Sequence, residues 1–137
     1  MAATLRLEIV TPETRAYSDD VEMVVLPASE GEMGVYPQHI PLITTIKPGE
    51  LVVTKGGRQT ALAVGEGFVE VTGEKVSVVV DMALQEADID EHAAEEAIKR
   101  AEARLKEQHI DGEEAALVQA AIAKSLAQLH VKRRSRH

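Results

Sequence analysis

Histidine, serine and carboxylate side chains carry whatever chemistry this chain could perform, because it contains no cysteine. A metal site in an all-β domain would need two or three histidines with a carboxylate, yet His39 is the only histidine before residue 92. His92 lies at helical spacing from Glu95 and Glu96, which is more typical of a solvated helix face than of a ligand cluster. No serine lies in a nucleophile-elbow motif. The sequence therefore predicts no catalytic residue, no metal and no cofactor.

Residues 29–42 combine two glycines, two prolines and one histidine at fixed offsets. Gly31 and Gly34 permit positive φ, while each proline fixes its own φ and restricts the residue before it. We expect a shaped loop here instead of a regular helix or strand, with His39 held at a defined bend.

The same stretch fills every defined position of the pattern Gly-x-x-Gly-x-x-Pro-x-His-x-Pro-Leu, from Gly31 to Leu42. This pattern resembles the signature of the epsilon-subunit family of rotary ATP synthases. A second hallmark of that family, Gly-Phe-Val-Glu-Val, occurs at residues 67–71. The resemblance covers the whole chain and implies a β-sandwich followed by a pair of helices.

Length and charge limit the classes of protein to consider. The 137 residues suffice for one ordinary domain, or for a domain of roughly 85 residues with a thin appendage. No apolar run approaches the roughly 20 residues that span a bilayer, so we expect membrane association only through partners. The net charge of −8 argues against nucleic acid as a partner. The lack of cysteine and of a signal peptide favours an intracellular protein.

The residues themselves divide the chain into two parts of different period. Up to residue 86, short alternating runs such as Leu5, Leu7 and Ile9 predict half-buried strands, and Gly56-Gly57 predicts a tight hairpin turn. Short, closely spaced strands favour an antiparallel β-sandwich. Its expected core contains Val52, Leu62, Val64, Phe68, Val69, Val71, Val78 and Val80.

From residue 87 to 137 the period becomes helical. Asp88 with Glu91, and Asp111 with Glu114, resemble capping boxes at the starts of two helices. A short joint between them predicts an antiparallel hairpin, so the expected fold class is α+β. The hairpin is rich in alanine, which packs closely but buries little apolar area. We therefore expect a weakly held arm that can dock on the sandwich or swing out.

The resemblance implies partner contacts for the glycine-rich stretch. It places Glu30, Gly31, Glu32 and His39 among the residues that face the membrane ring of c subunits or the gamma shaft. The alternatives are two solvated carboxylates in a turn and a loop histidine held by backbone groups.

The family also has a nucleotide-sensing motif, Ile/Leu-Asp-x-x-Arg-Ala, which appears here as Ile89 and Asp90 followed by Ala93 in place of the arginine. The resemblance assigns further nucleotide contacts to basic groups of the second helix, which offers only Lys124 before its basic end. This departure argues against ATP binding, and ordinary helix-start chemistry is the favoured interpretation of Ile89 and Asp90.

The basic end of the chain includes Lys132, Arg133, Arg134 and Arg136 on an otherwise acidic protein. Such a cluster can steer association with an acidic surface, or it can be a frayed charged terminus. The resemblance identifies the acidic surface as the lower edge of the catalytic alpha/beta head.

Taken together, the residues and the resemblance predict a non-catalytic central-stalk subunit at the cytoplasmic face of a bacterial plasma membrane. It would couple proton-driven rotation of the c-ring to ATP synthesis through gamma, and its arm would inhibit ATP hydrolysis. Two alternatives are a free-standing ATP-sensing regulatory protein and a sandwich enzyme or metal module built around His39.

Overall fold

A computed structural model describes residues 3–107 and 110–134, which form ten strands and two α-helices. The strands are β1 (Leu5–Val10), β2 (Arg15–Val21), β3 (Met23–Ala28), β4 (Gly31–Val35), β5 (Leu42–Ile46), β6 (Gly49–Lys55), β7 (Arg58–Val64), β8 (Gly67–Val71), β9 (Lys75–Val80) and β10 (Ala83–Gln85). A 3-10 helix, Glu86–Asp88, leads to α1 (Glu91–Glu107) and α2 (Gly112–Arg134). The predicted α+β fold, an antiparallel β-sandwich followed by a two-helix hairpin, is confirmed.

Alternation along each strand separates the core from the surface. In β1, Leu5, Leu7 and Ile9 are buried and alternate with half-buried residues. Between β6 and β7, Gly56 and Gly57 have φ of 59° and 77°, which L-residues with side chains rarely adopt. The predicted hairpin turn is therefore confirmed.

The strands pair in the order β10-β7-β6-β3-β5-β8-β9-β1-β2, with β4 added on β3. All of these pairs are antiparallel except β1 with β9, which run parallel from Arg6 opposite Lys75 to Val10 opposite Val79. The first strand is thus built into the sheet beside a strand from the far end of the domain.

The core contains side chains from both layers of the sandwich, but two of the expected members lie elsewhere. Val52 is only half-buried because its neighbours Leu51 and Val53 take the inward positions of β6. Phe68 is 47% exposed because Val69 and Val71 set the inward face of β8, which turns Phe68 outward. The inclusion of both residues in the core was wrong.

The expectation of a loop throughout residues 29–42 was also wrong in its first half. Residues 31–35 form β4, which pairs with β3 because Gly31, at φ 126°, reverses the chain just beyond β3. Gly34 lies within β4 and does not use positive φ. The loop proper begins at Tyr36, and its left-handed residue is Gln38, at φ 65°.

The start of α1 is capped two residues later than predicted. Asp88 ends the 3-10 helix, while the side chain of Asp90 accepts a hydrogen bond of 3.0 Å from the backbone N–H of Ala93. A cap must lie directly before the first helical residue, and the 3-10 turn moves that position to Asp90. α1 ends at Glu107 and α2 begins at Gly112, so the joint is short as predicted, and residues 108 and 109 lie outside the described residues.

Candidate partner interfaces on the sandwich and the arm

The residues predicted to face partner subunits lie at two places. Glu30 lies in the turn between β3 and β4, and Gly31 and Glu32 begin β4; together they form an acidic turn in which both glutamates are exposed. His39 lies beyond the other end of β4, so roughly 15 Å of strand separates it from this turn. The structure therefore groups the first three and does not bring His39 to them.

His39 is held by backbone groups of its own loop. Its Nδ1 donates to the carbonyl oxygen of Ile40 at 2.7 Å, and its backbone N–H donates to the carbonyl of Tyr36 at 3.2 Å. The N–H of Gln38 donates to the carbonyl of Gly73 at 2.7 Å, which ties this loop to the turn between β8 and β9. Tyr36 and Ile40 remain exposed beside the histidine.

A surface that sequence reasoning missed lies on the outer face of β5, β8 and β9. Ile43, Phe68 and Val79 are 70%, 47% and 39% exposed, and the cross-strand register places Phe68 directly opposite Val79. We call these three residues the apolar face. Clusters of exposed large apolar side chains mark protein contact sites more often than single ones do. The signal was present in the sequence, because Phe68 alternates with Val69 and Val71.

The helical arm packs on the other side of the sandwich, against β6 and β7. Its apolar contact is a small cluster of Ala63, Ile89, Ala127 and Val131, with Ala61, Met82 and Leu84 packed around it. We call this cluster the arm seam. Two of its four buried residues are alanines, as is the neighbouring Ala61, so it buries little apolar area for its number of residues.

The basic end of α2 is paired with acidic residues when the arm is docked. Arg133 donates to Glu91 at 2.8 Å and to Glu95 at 3.0 Å, and the hydrogen bond that it donates to Glu91 raises the pKa of its guanidinium. Arg134 donates to Glu50 on β6. These residues continue α2 through its last turn, and Arg136 lies outside the described residues.

Lys132 completes this set of contacts. Its ammonium donates to the backbone carbonyl of Glu86 at 3.1 Å and lies 3.8 Å from the carboxylate of the same residue. The three described cations of the basic end therefore contact the sandwich, the 3-10 helix and α1. Sequence reasoning missed the acidic partners because they come from separate elements.

The residues of the nucleotide motif have structural contacts within the chain. Ile89 is buried in the arm seam, and Asp90 caps α1. On α2, Lys124 forms an ion pair of 2.6 Å with Asp81, and Gln128 donates to the sulfur of Met82. The geometry thus agrees with helix-start chemistry for Ile89 and Asp90.

Gly65 and Gly67 are required by close packing at a turn. A Cβ on Gly67 would lie 1.8 Å from the carbonyl oxygen of Val79, and one on Gly65 would lie 2.0 Å from a carboxylate oxygen of Asp81. The same carboxylate accepts a bond of 3.0 Å from the N–H of Glu66. These glycines therefore allow the close packing at the entry to β8.

Within residues 3–107 and 110–134, neither helix combines the length and apolarity that a bilayer span requires. In the same ranges, no three histidine or carboxylate side chains lie close enough to hold a metal ion together.

Comparisons with known proteins cover both parts of the chain. Residues 4–86 match the family model "ATP synthase, Delta/Epsilon chain, beta-sandwich domain", and residues 87–133 match "ATP synthase, Delta/Epsilon chain, long alpha-helix domain". The chain is 42% identical over 129 residues to an ATP synthase epsilon chain from Halorhodospira halophila, covering 93% of this chain and 91% of the relative. It is 40% identical over 135 residues to the epsilon chain of Alkalilimnicola ehrlichii, with coverages of 98% and 96%.

The fold also matches chains in solved assemblies. One comes from the mitochondrial ATP synthase of Euglena gracilis, solved with OSCP, F1 and the c-ring, with a TM-score of 0.75, 23% identity and coverage of 98% of this chain and 82% of that one. Another comes from the central stalk and c-ring of the Tetrahymena thermophila mitochondrial enzyme, with a TM-score of 0.59, 9% identity and 98% coverage of both chains. At these identities the likeness concerns the fold.

Proposed function

This chain belongs to the delta/epsilon family of ATP synthase chains, and from that premise we propose that it is a non-catalytic epsilon subunit of the central stalk. Its sandwich fastens the gamma shaft to the c-ring, so that proton-driven rotation of the ring is coupled to ATP synthesis. Its helical arm restrains ATP hydrolysis. It is held at the cytoplasmic face of a bacterial plasma membrane through the complex alone.

The observation that supports attachment to the rotor is the apolar face, which the docked arm leaves open. We assign it to gamma, since a rotating shaft needs a contact that transmits torque without opening. Full burial of a phenylalanine side chain contributes about 1.5 to 3 kcal/mol, so burial of the exposed half of Phe68 contributes about 1 to 1.5 kcal/mol. Replacing Phe68 should therefore weaken gamma binding about tenfold.

The test is a titration of the chain with matched gamma, followed by size-exclusion chromatography with light scattering. The parent should form a one-to-one complex, and Phe68→Ser should form it about ten times more weakly. Leu117→Ser is the matched control, because it removes an apolar side chain from the arm that is 72% exposed, more than Phe68 at 47%. Equal affinity of Phe68→Ser and the parent would refute the assignment of this face.

The acidic turn of Glu30, Gly31 and Glu32 supports a second contact, with basic loops of the c-ring. Because it lies across β4 from His39, we assign the turn to the ring and the His39 loop to the boundary with gamma. Neutralising both glutamates as Glu30→Gln with Glu32→Gln should weaken ring binding most at low salt. Glu13→Gln, an exposed carboxylate on another turn, is the control.

The arm supports the inhibitory part of the proposal. In the docked arm Lys132, Arg133 and Arg134 are paired with acids of this chain, and on extension these cations, together with Arg136, become available to the acidic edge of the alpha/beta head. Docked and extended states thus compete for the same charges, which keeps their free energies within a few kcal/mol, as a usable switch requires.

Deleting the chain from Glu113 onward tests this inhibition. ATP hydrolysis by the assembled enzyme should rise while assembly is retained, because the sandwich is left whole. A full-length chain with Lys132, Arg133 and Arg134 changed to glutamine keeps the helix and removes its charges, so it distinguishes the two contributions. This variant should also raise hydrolysis. Unchanged hydrolysis in both variants would refute inhibition by the arm and leave the rotor contact standing.

A further inference from the structure

Glu50 occupies an unusual position at the contact between the sandwich and the end of the arm. It lies on β6, opposite Ala63 of the arm seam, and its side chain is only 16% exposed. Its Oε1 accepts a hydrogen bond from Arg134. Its Oε2 is fully buried and has no hydrogen-bond partner among the described residues. A buried carboxylate oxygen without a partner is costly, so a second cation beside it stabilises the docked arm.

A second basic group close to that oxygen is the imidazole of His130, whose Nε2 lies 3.7 Å from Oε2. This distance is too long for a hydrogen bond but within range of an ion pair when the ring is protonated. Histidine is the side chain whose charge ordinarily changes between pH 5 and 8. The second cation at Glu50 is therefore one that pH can remove, whereas Arg134 keeps its charge throughout.

The other charges around His130 do not replace it at Glu50. On its own helix Arg133 is engaged by Glu91 and Glu95 of α1, and Lys132 by Glu86 of the 3-10 helix. On the packed strands, the remaining charges of β6 and β7 are Lys55 and Arg58, at the far hairpin turn. Arg134 binds the same carboxylate and repels a protonated His130, which reduces the stabilisation that protonation gives the docked arm.

We propose that His130 and Glu50 form an acid-strengthened latch that holds the helical arm on the sandwich. Protonation of His130 adds a positive charge beside the unpartnered Oε2 in the docked state. In an extended arm the two side chains are apart, so protonation of His130 does not stabilise that state. The latch rests on the proposed function, in that it requires an arm that undocks.

The direction of the pH effect follows because the contact between His130 and Glu50 exists only in the docked state. Acid favours the docked, permissive arm, and the advantage disappears as the pH rises and the imidazole loses its proton. Because the His130 side chain is 73% exposed, the contribution is that of a surface ion pair. Such pairs change an equilibrium by about two- to five-fold. The docked-to-extended ratio should therefore fall by up to that factor between pH 6 and pH 8.

The chain contains no cysteine, so two can be introduced for dye labelling without background. Glu13→Cys on the sandwich and Glu113→Cys at the start of α2 are both exposed and away from the latch. Single-molecule energy transfer on this full-length pair then gives the docked and extended fractions across pH 6 to 8. The variants are His130→Gln, His130→Lys and Glu50→Gln, with His92→Gln as the matched histidine control.

The latch predicts a pH-dependent ratio in the parent and in His92→Gln, and a flat one in His130→Gln and Glu50→Gln. His130→Lys should remain as docked at pH 8 as the parent is at pH 6. An arm that moves but keeps its pH dependence in His130→Gln would overturn the latch alone. A single docked population in every variant at every pH would overturn both the latch and the swinging arm.

Discussion

Val131→Ala should release the arm without disturbing the sandwich. Val131 is 1% exposed and contacts the arm seam, where its side chain is buried in the docked state only. Alanine removes two methyl groups, and at about 0.8 kcal/mol for each buried carbon the docked state loses about 1.6 kcal/mol. This corresponds to a shift of about fifteenfold toward the extended arm. The gain in helix propensity from alanine applies to both states and cancels.

The energy-transfer pair at residues 13 and 113 measures this shift directly, and ATP hydrolysis of the assembled enzyme measures its consequence. Leu126→Ala is the matched control, because Leu126 lies on the same helix but is 52% exposed. It should shift the ratio by less than about threefold. If Val131→Ala and Leu126→Ala gave the same docked fraction, the arm seam would not hold the arm.

Three further predictions concern the sandwich. Gly67→Ala should lower stability by at least about 2 kcal/mol in urea unfolding, because its Cβ would overlap the Val79 carbonyl, whereas Gly73→Ala has open space and should change little. Gln38→Gly should raise the free energy of unfolding by about 0.5 to 1 kcal/mol, because glycine adopts φ 65° without strain. Part of this stabilisation is offset because glycine increases the conformational entropy of the unfolded chain. An unchanged urea midpoint would contradict this prediction. The hydrogen bond from Lys55 lowers the pKa of Asp19 in the folded protein. The ionised Asp19 therefore stabilises the fold at pH values above the pKa of an unfolded aspartate. This stabilisation is lost as the pH falls through the lower pKa that Asp19 has in the folded state. Below about pH 4 the stability of the parent should accordingly fall more steeply with pH than that of Asp19→Asn. Parallel plots of stability against pH for the two proteins would show that Asp19 does not stabilise the fold in this way.

Local signals in the sequence were sufficient for most of the fold. Alternating residues, the Gly56-Gly57 turn and the change of period near residue 88 depend on neighbours along the chain, and the structure agrees with each of them. The errors arose where two local patterns overlapped. Phe68 is large and apolar, which favours the core, but it lies two residues before Glu70 and therefore on the face opposite the buried Val69 and Val71.

The candidate interfaces were less predictable because they depend on contacts between distant elements. Glu30 and His39 are nine residues apart in the sequence, yet β4 runs between them and separates them in space. Glu50 had no distinguishing signal at all, since one carboxylate in an alternating strand looks like any other. Its role follows from the position of α2 above β6, which periodicity does not give.

The parallel pairing of β1 with β9 affects the order in which the strands can pair while the chain is being synthesised. A ribosome releases the amino terminus first, so β1 must wait without its β9 partner until Lys75 and the residues after it have emerged. During that interval only β2 can pair with it, and the apolar side of that hairpin lies open to water or to a chaperone. Closing so distant a pair is a slow, late event in folding. The helices are synthesised after β9, so by the time α2 is complete, every strand of the surface on which it docks is already available.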